Sequence, residues 1–184
     1  MREMSDWLPV FLSFYPALRA RVSTIVYGSQ IIAVTQGVDV SSKDIDLLSP
    51  NVTLRAIEEA YAESSGREEM RIELIKSRRG HIFTLYYPSG ERPIPIEIFT
   101  TTPLGDPLSV FPDHIVEVSR WGKSFISLTV EAYTVLEAAG GIRPISVERL
   151  RRIKIEWGEV ERLGERFGLR EEVLRLKKEV EMGY

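Results

Sequence analysis

Val26-Tyr27-Gly28-Ser29-Gln30, followed fourteen residues on by Asp44-Ile45-Asp46-Leu47-Leu48, is the stretch whose reading decides the fold of this chain. Ser23 to Tyr27 is a short β-branched run, the composition of a buried strand, and it ends at Gly28. Ile31 to Val34 reads as the start of a helix that follows at once, with Gly37 to stop it. A Gly-Ser pair between a strand and a helix lets backbone approach a phosphate closely, and the first N–H groups of the helix stay free to meet it. Ile45 to Leu48, closed by Pro50, is the second strand. Aspartates one residue apart project to one face of it, so Asp44 and Asp46 are placed to share a cation while Ile45 turns into the core.

Glu97 is the third acid. In Ile94-Pro95-Ile96-Glu97-Ile98-Phe99 the isoleucines alternate onto one face, which leaves Glu97 on the other. A carboxylate interrupting an apolar strand is expensive to bury unless a cation or hydrogen bonds meet it. The chain has no cysteine and two histidines, His81 and His114, so a metal site here is mostly carboxylate. Oxygen ligands select a hard ion, Mg2+ or Mn2+. Neither histidine has a helical histidine partner, and neither is assigned a metal role.

This constellation resembles the nucleotidyltransferase superfamily, the DNA polymerase beta-like fold. Its pattern is a hydrophobic residue, Gly-Gly or Gly-Ser, a helix, Asp-x-Asp, and a third acid on a later strand. The motif-bearing resemblance covers about residues 23 to 99. Within the superfamily the chain looks most like the abortive-infection toxin-type branch. It departs from that branch in having Val40 where an arginine precedes the acid pair, and Glu137 where related toxins tend to carry a lysine. The resemblance implies nucleotidyl transfer from an NTP to a hydroxyl on RNA, protein or a small molecule. Asp44, Asp46 and Glu97 would be the catalytic and metal-binding carboxylates, with Gly28 and Ser29 cradling the triphosphate. Lys43 flanks the acid pair as either a phosphate contact or a surface lysine. The alternative is the same fold kept as a catalytically degenerate binding module, or as a toxin–antitoxin-type partner. Either reading allows a protein partner or a homo-oligomer.

Working outward, Trp7, Val10, Phe11, Phe14 and Leu18 stand at helical spacing, with Pro16 expected to kink or end that helix. Asn51 is expected to cap a helix bearing Leu54, Ile57, Ala60 and Tyr61, stopped by Gly66. Strands are expected at 70–76, 81–87 and 94–99, a loop over 100–113, and a short strand at 115–118. Arg78 and Arg79 fall at a hairpin tip. Thr129 caps a helix to Ala139. Ser146 is expected to cap a longer one carrying Leu150, Ile153, Trp157, Val160, Leu163 and Phe167, and a last helix carries Val173, Leu176 and Val180. Arg149, Arg151, Arg152 and Lys154 read as the wet side of that longer helix.

The fold class expected is therefore α+β, a nucleotidyltransferase-like mixed sheet with flanking helices over 1–122, and a C-terminal helical unit over 123–184 packed on it. A hydrophobic fraction of 43% with 28% charged residues is that of a globular protein. A net charge of -3 argues against a general nucleic-acid coat. Residues 143–184 hold 11 Lys and Arg against 9 Asp and Glu, and the rest 13 against 18, so the acidic surplus lies where a cation would need it. No apolar run reaches the roughly 20 residues that span a bilayer. Asp6, Pro9 and Pro16 break any signal-peptide pattern, and a cytoplasmic location is expected.

Overall fold

The computed structural model describes residues 6–77 and 80–182, so Arg78 and Arg79 lie outside the described residues. Contacts divide the chain into two compact units, Met1–Gln30 with Ser41–Thr101, and Ile31–Val40 with Thr102–Tyr184. The chain is α+β. The boundary expected at 122/123 falls in the turn of a hairpin within the second unit.

In the first unit the strands are β1 (Ile25–Val26), β2 (Ile45–Leu48), β3 (Ile72–Ser77), β4 (Gly80–Tyr87) and β5 (Ile94–Phe99), in spatial order β3-β4-β5-β2-β1. β2 and β5 run parallel, whereas β1–β2, β3–β4 and β4–β5 are antiparallel. The alternation in β5 is strict: Ile94, Ile96 and Ile98 are buried, and Pro95, Glu97 and Phe99 are partly exposed. Ile45 and Leu47 of β2 stand beside Ile96 and Ile98, and Leu85 and Phe83 of β4 stand on their other side. Each such side chain contributes about 1.5–3 kcal/mol by leaving water.

Helices α1 (Trp7–Arg19) and α3 (Leu54–Ser65) cover that apolar face, and the Phe14 and Tyr61 rings both meet Tyr87 of β4 edge-on. Arg21, just past α1, holds Glu59 and Glu63 of α3. Because α1 and α3 occupy one face, Asp46 and Glu97 are left on the other.

The expected strand at 23–27 shortens to Ile25–Val26, and Pro16 lies inside α1, which runs on to Arg19. Asn51 is not the cap of α3. Thr53 is, with extended backbone and its hydroxyl accepting from the Ala56 N–H; Gly66 ends the helix at φ 68°.

The second unit carries helix α2 (Gln30–Gln36) save for its first residue, and then Thr102 onward. The expected loop over 100–113 contains a helical turn, α4 (Pro107–Val110), capped by Asp106, and a 3-10 turn at Pro112–His114. β6 (Ile115–Arg120) is joined to an unanticipated strand, β7 (Lys123–Leu128), by a two-residue turn in which Trp121 and Gly122 both have positive φ. That is the turn that matches the twist of a hairpin.

Among the described residues four helices follow, not three: α5 (Val130–Ala139), α6 (Pro144–Leu150), α7 (Trp157–Arg166) and α8 (Arg170–Glu181). The single long helix expected from Ser146 is broken at 151–156, because other side chains claim that backbone. Gln36 donates to the Lys154 carbonyl and the Glu156 N–H donates to Glu131. Ser146 is buried inside α6 and donates its hydroxyl to Glu137, which Arg143 also holds at 2.9 and 3.0 Å. His114 is buried between Thr129 and Glu159. Among the described residues no helix is long and apolar enough to cross a membrane.

The capping geometry makes a prediction. Thr53→Ala costs about 1 kcal/mol of stability, read as a lowered thermal midpoint, whereas Asn51→Ala leaves the midpoint unchanged.

Candidate active site

Gly28, Ser29, Lys43, Asp44, Asp46 and Glu97 all belong to the first unit. The parallel register of β2 and β5 sets Asp46 directly beside Glu97, on the face that α1 and α3 do not cover. Asp44 immediately precedes β2. Its carboxylate Oδ1 accepts from the Ser42 hydroxyl at 3.0 Å, and the Ser29 hydroxyl reaches Ser42 at 3.4 Å. Ser29 itself is buried, and its hydroxyl is engaged with this serine pair.

Gly28 adopts φ 61°, a conformation that side chains with a Cβ rarely enter. The reason lies opposite it. A Cβ at residue 28 would sit 2.1 Å from Asp46 Oδ2 and 2.7 Å from Asp46 Cβ, so the glycine makes the space that the Asp46 carboxylate occupies.

The residue that sequence reasoning missed is Gln30. Its side chain is fully buried; its Nε2 donates to the Asp44 carbonyl at 2.8 Å and its Oε1 accepts from the Asp46 N–H at 3.3 Å. Both polar ends of one amide are thus spent on the backbone of the acid pair, as a neighbouring strand would spend its own peptide groups. The signal available was a glutamine heading an otherwise apolar run, Ile31-Ile32-Ala33-Val34. Ser42 was missed as well, although its hydroxyl bond to Asp44 spans only two residues.

Glu97 is half-buried and, among the described residues, has neither a hydrogen bond nor an ion pair. Burial, and secondarily the negative charge of Asp44, raise its pKa above the ordinary carboxylate value. Asp44 and Glu97 are therefore close enough to repel. Among the described residues no three His, Cys, Asp or Glu side chains gather tightly enough to hold a metal ion. The carboxylates form a strip along one sheet face rather than a closed ligand cage.

Comparison with solved structures identifies the architecture. JHP933 from Helicobacter pylori aligns over 98% of this chain and 93% of its own, at 10% sequence identity and a TM-score of 0.50. The two share a fold. A proposed nucleotidyltransferase from H. pylori aligns over 97% of this chain and 95% of its own, at 10% identity and a TM-score of 0.47. No family model matches the chain, and no curated protein matches it.

Two predictions follow from this geometry. An acid whose pKa is raised on folding binds more protons folded than unfolded, so it lowers stability as pH climbs from the normal glutamate range through the raised value. Glu97→Gln removes that loss, and the variant's thermal midpoint exceeds the wild type's at neutral pH but not at pH 4. Gly28→Ala forces a left-handed alanine against Asp46 and destabilises the fold by about 1–2 kcal/mol or more, measured by denaturant unfolding.

Proposed function

We propose that this chain is a metal-dependent nucleotidyltransferase, moving a nucleoside monophosphate from an NTP to a hydroxyl. The observation that carries the reading is Glu97: a half-buried carboxylate with no partner among the described residues, beside Asp46 in register and repelled by Asp44. A buried acid so placed is stabilised by a cation, and the donors at hand are all oxygen, which suits Mg2+ or Mn2+. Asp44, Asp46 and Glu97 do not form a closed ligand cage as they stand and would have to draw together to hold the ion, which would supply charge neutralisation at the phosphates and a lowered pKa for the attacking hydroxyl. The chain's own residues do the positioning. Gln30 fixes the backbone of both aspartates, Ser42 orients the Asp44 carboxylate, and Gly28 makes room for the carboxylate of Asp46. Lys43, exposed and adjacent to Asp44, adds a cation for an anionic substrate.

The order of the motifs, Gly28-Ser29, then Asp44 and Asp46, then Glu97 on a later strand, supports this reading. The abortive-infection toxin-type relationship is a narrower form of it, resting on the third acid after a hairpin and the helices of the second unit, with Val40 and Glu137 as departures.

One observation favours a second reading, a fold kept for holding a protein partner. β3 is an edge strand on which Leu74 and Ile75 are 44% and 56% exposed.

A thermal-melt titration separates the two. NTP with Mg2+ raises the wild-type midpoint, by the equivalent of about 2.7 kcal/mol at a hundredfold excess over Kd, and Asp46→Asn abolishes the rise. An equal rise in the variant contradicts the assignment of these ligands, and no rise in the wild type favours the partner-binding module.

A further inference from the structure

Beside the acid strip lies a cleft of about 780 Å³, within the size range of small-molecule sites. It is built where the approach to β2 meets the turn before β5, two parallel strands whose leading ends lie side by side. Its walls include Lys43 and Ser42 from the first segment, Ser89, Glu91 and Arg92 from the second, and Asp6. Gly28, Ser29 and the three carboxylates of the strip are not part of its lining. Ser42 belongs to both places, because it lines the cleft and donates to Asp44.

The cleft is dipolar. Among the described residues the side chains of Lys43 and Arg92 form no ion pair or hydrogen bond, although the acids Asp6 and Glu91 line the same space. Two exposed cations without a protein partner suit an anion, while the two acids disfavour a bare polyanion and suit a ligand that also carries donors. A nucleotide has that combination: a phosphate for Lys43 and Arg92, amino or imino hydrogens on its base for the acids, and sugar hydroxyls for Ser42 and Ser89.

Resting on the nucleotidyl-transfer reading, we propose that this cleft seats the acceptor, a ribonucleotide or the end of an RNA strand, with Lys43 and Arg92 on its phosphate. The acceptor's sugar hydroxyl then lies next to the strip. Its oxygen bonds to the α-phosphorus of the NTP, the bond from that phosphorus to the bridging oxygen breaks, pyrophosphate leaves with the electron pair, and the hydroxyl proton passes to a carboxylate of the strip. A protein acceptor has no need of two phosphate-binding cations here.

The test is fluorescence anisotropy of a labelled single-stranded oligoribonucleotide against the full chain over a range of NaCl. Two phosphate contacts give log K against log salt a slope of about -1.4. Arg92→Ala is expected to weaken binding about fivefold and to reduce the slope by about 0.7. Arg92→Lys restores most of the slope, and Arg67→Ala, an exposed arginine outside the cleft, changes neither quantity. Competition by a nucleoside monophosphate at similar concentration names a free nucleotide as acceptor; competition by RNA alone names a strand end; either supports the site. The NTP-dependent melting shift is measured on the same proteins. If that shift is present and Arg92→Ala leaves RNA affinity and slope unchanged, the acceptor site is overturned and the nucleotidyltransferase reading stands. If the wild type shows no shift while RNA binding depends on Arg92, that reading fails and the cleft remains a nucleotide-phosphate site.

Discussion

The pairing of β2 with β5 is the constraint from which the candidate site follows. Parallel register fixes Asp46 opposite Glu97, and the isoleucines on either side of Glu97 cannot leave the core without exposing the apolar face that α1 and α3 cover. A one-residue slip of either strand would turn that strand's acid into the core and its apolar residues out. The hydrophobic effect therefore holds these two carboxylates side by side, while the repulsion that Glu97 feels comes from Asp44. Their proximity is imposed by the sheet, and a side-chain rearrangement alone cannot relieve it. Gln30 adds to the constraint by spending its amide on the Asp44 and Asp46 backbone, and the absence of a Cβ at Gly28 gives the Asp46 carboxylate its place.

The first unit gathers the whole candidate site from three separated segments: the turn after β1, the approach to β2, and the middle of β5. The acceptor cleft draws on two of the same neighbourhoods, the segments that lead into β2 and β5. Two substrates that must meet would thus be delivered to the leading end of a pair of parallel strands.

Much of this was legible from the residues because it rests on short-range chemistry. Period-two alternation in 94–99 placed the isoleucines and Glu97 on opposite faces, and β2 was delimited by Pro50 as written. Gly66 and Thr129 marked their helix ends because an αL stop and a hydroxyl cap are local devices. What was not legible rests on partners distant in sequence. Asn51 and Thr53 are both good caps on paper, and the backbone angles chose Thr53. The apolar stripe from Leu150 to Phe167 keeps helical spacing across 151–156, yet Gln36 and Glu131 draw the Lys154 and Glu156 peptide groups out of the ladder. β7 was passed over because Ser124, Ser127 and Lys123 dilute its pattern, and its partner β6 supplies the order. The clamp by Gln30 belongs with these, since a side chain bonded fourteen residues away leaves no periodic trace.

The central claim is that the acid strip is a cation site serving an NTP. The most direct measurement is crystallographic: crystals grown with Mn2+ and a non-hydrolysable NTP, with anomalous scattering used to locate the metal. The account predicts a manganese peak coordinated by carboxylate oxygens of Asp44 and Asp46, with Glu97 drawn toward it and the nucleotide's phosphates on the side of Gly28. A bound nucleotide without manganese on this strip, or manganese held by other residues, would contradict it.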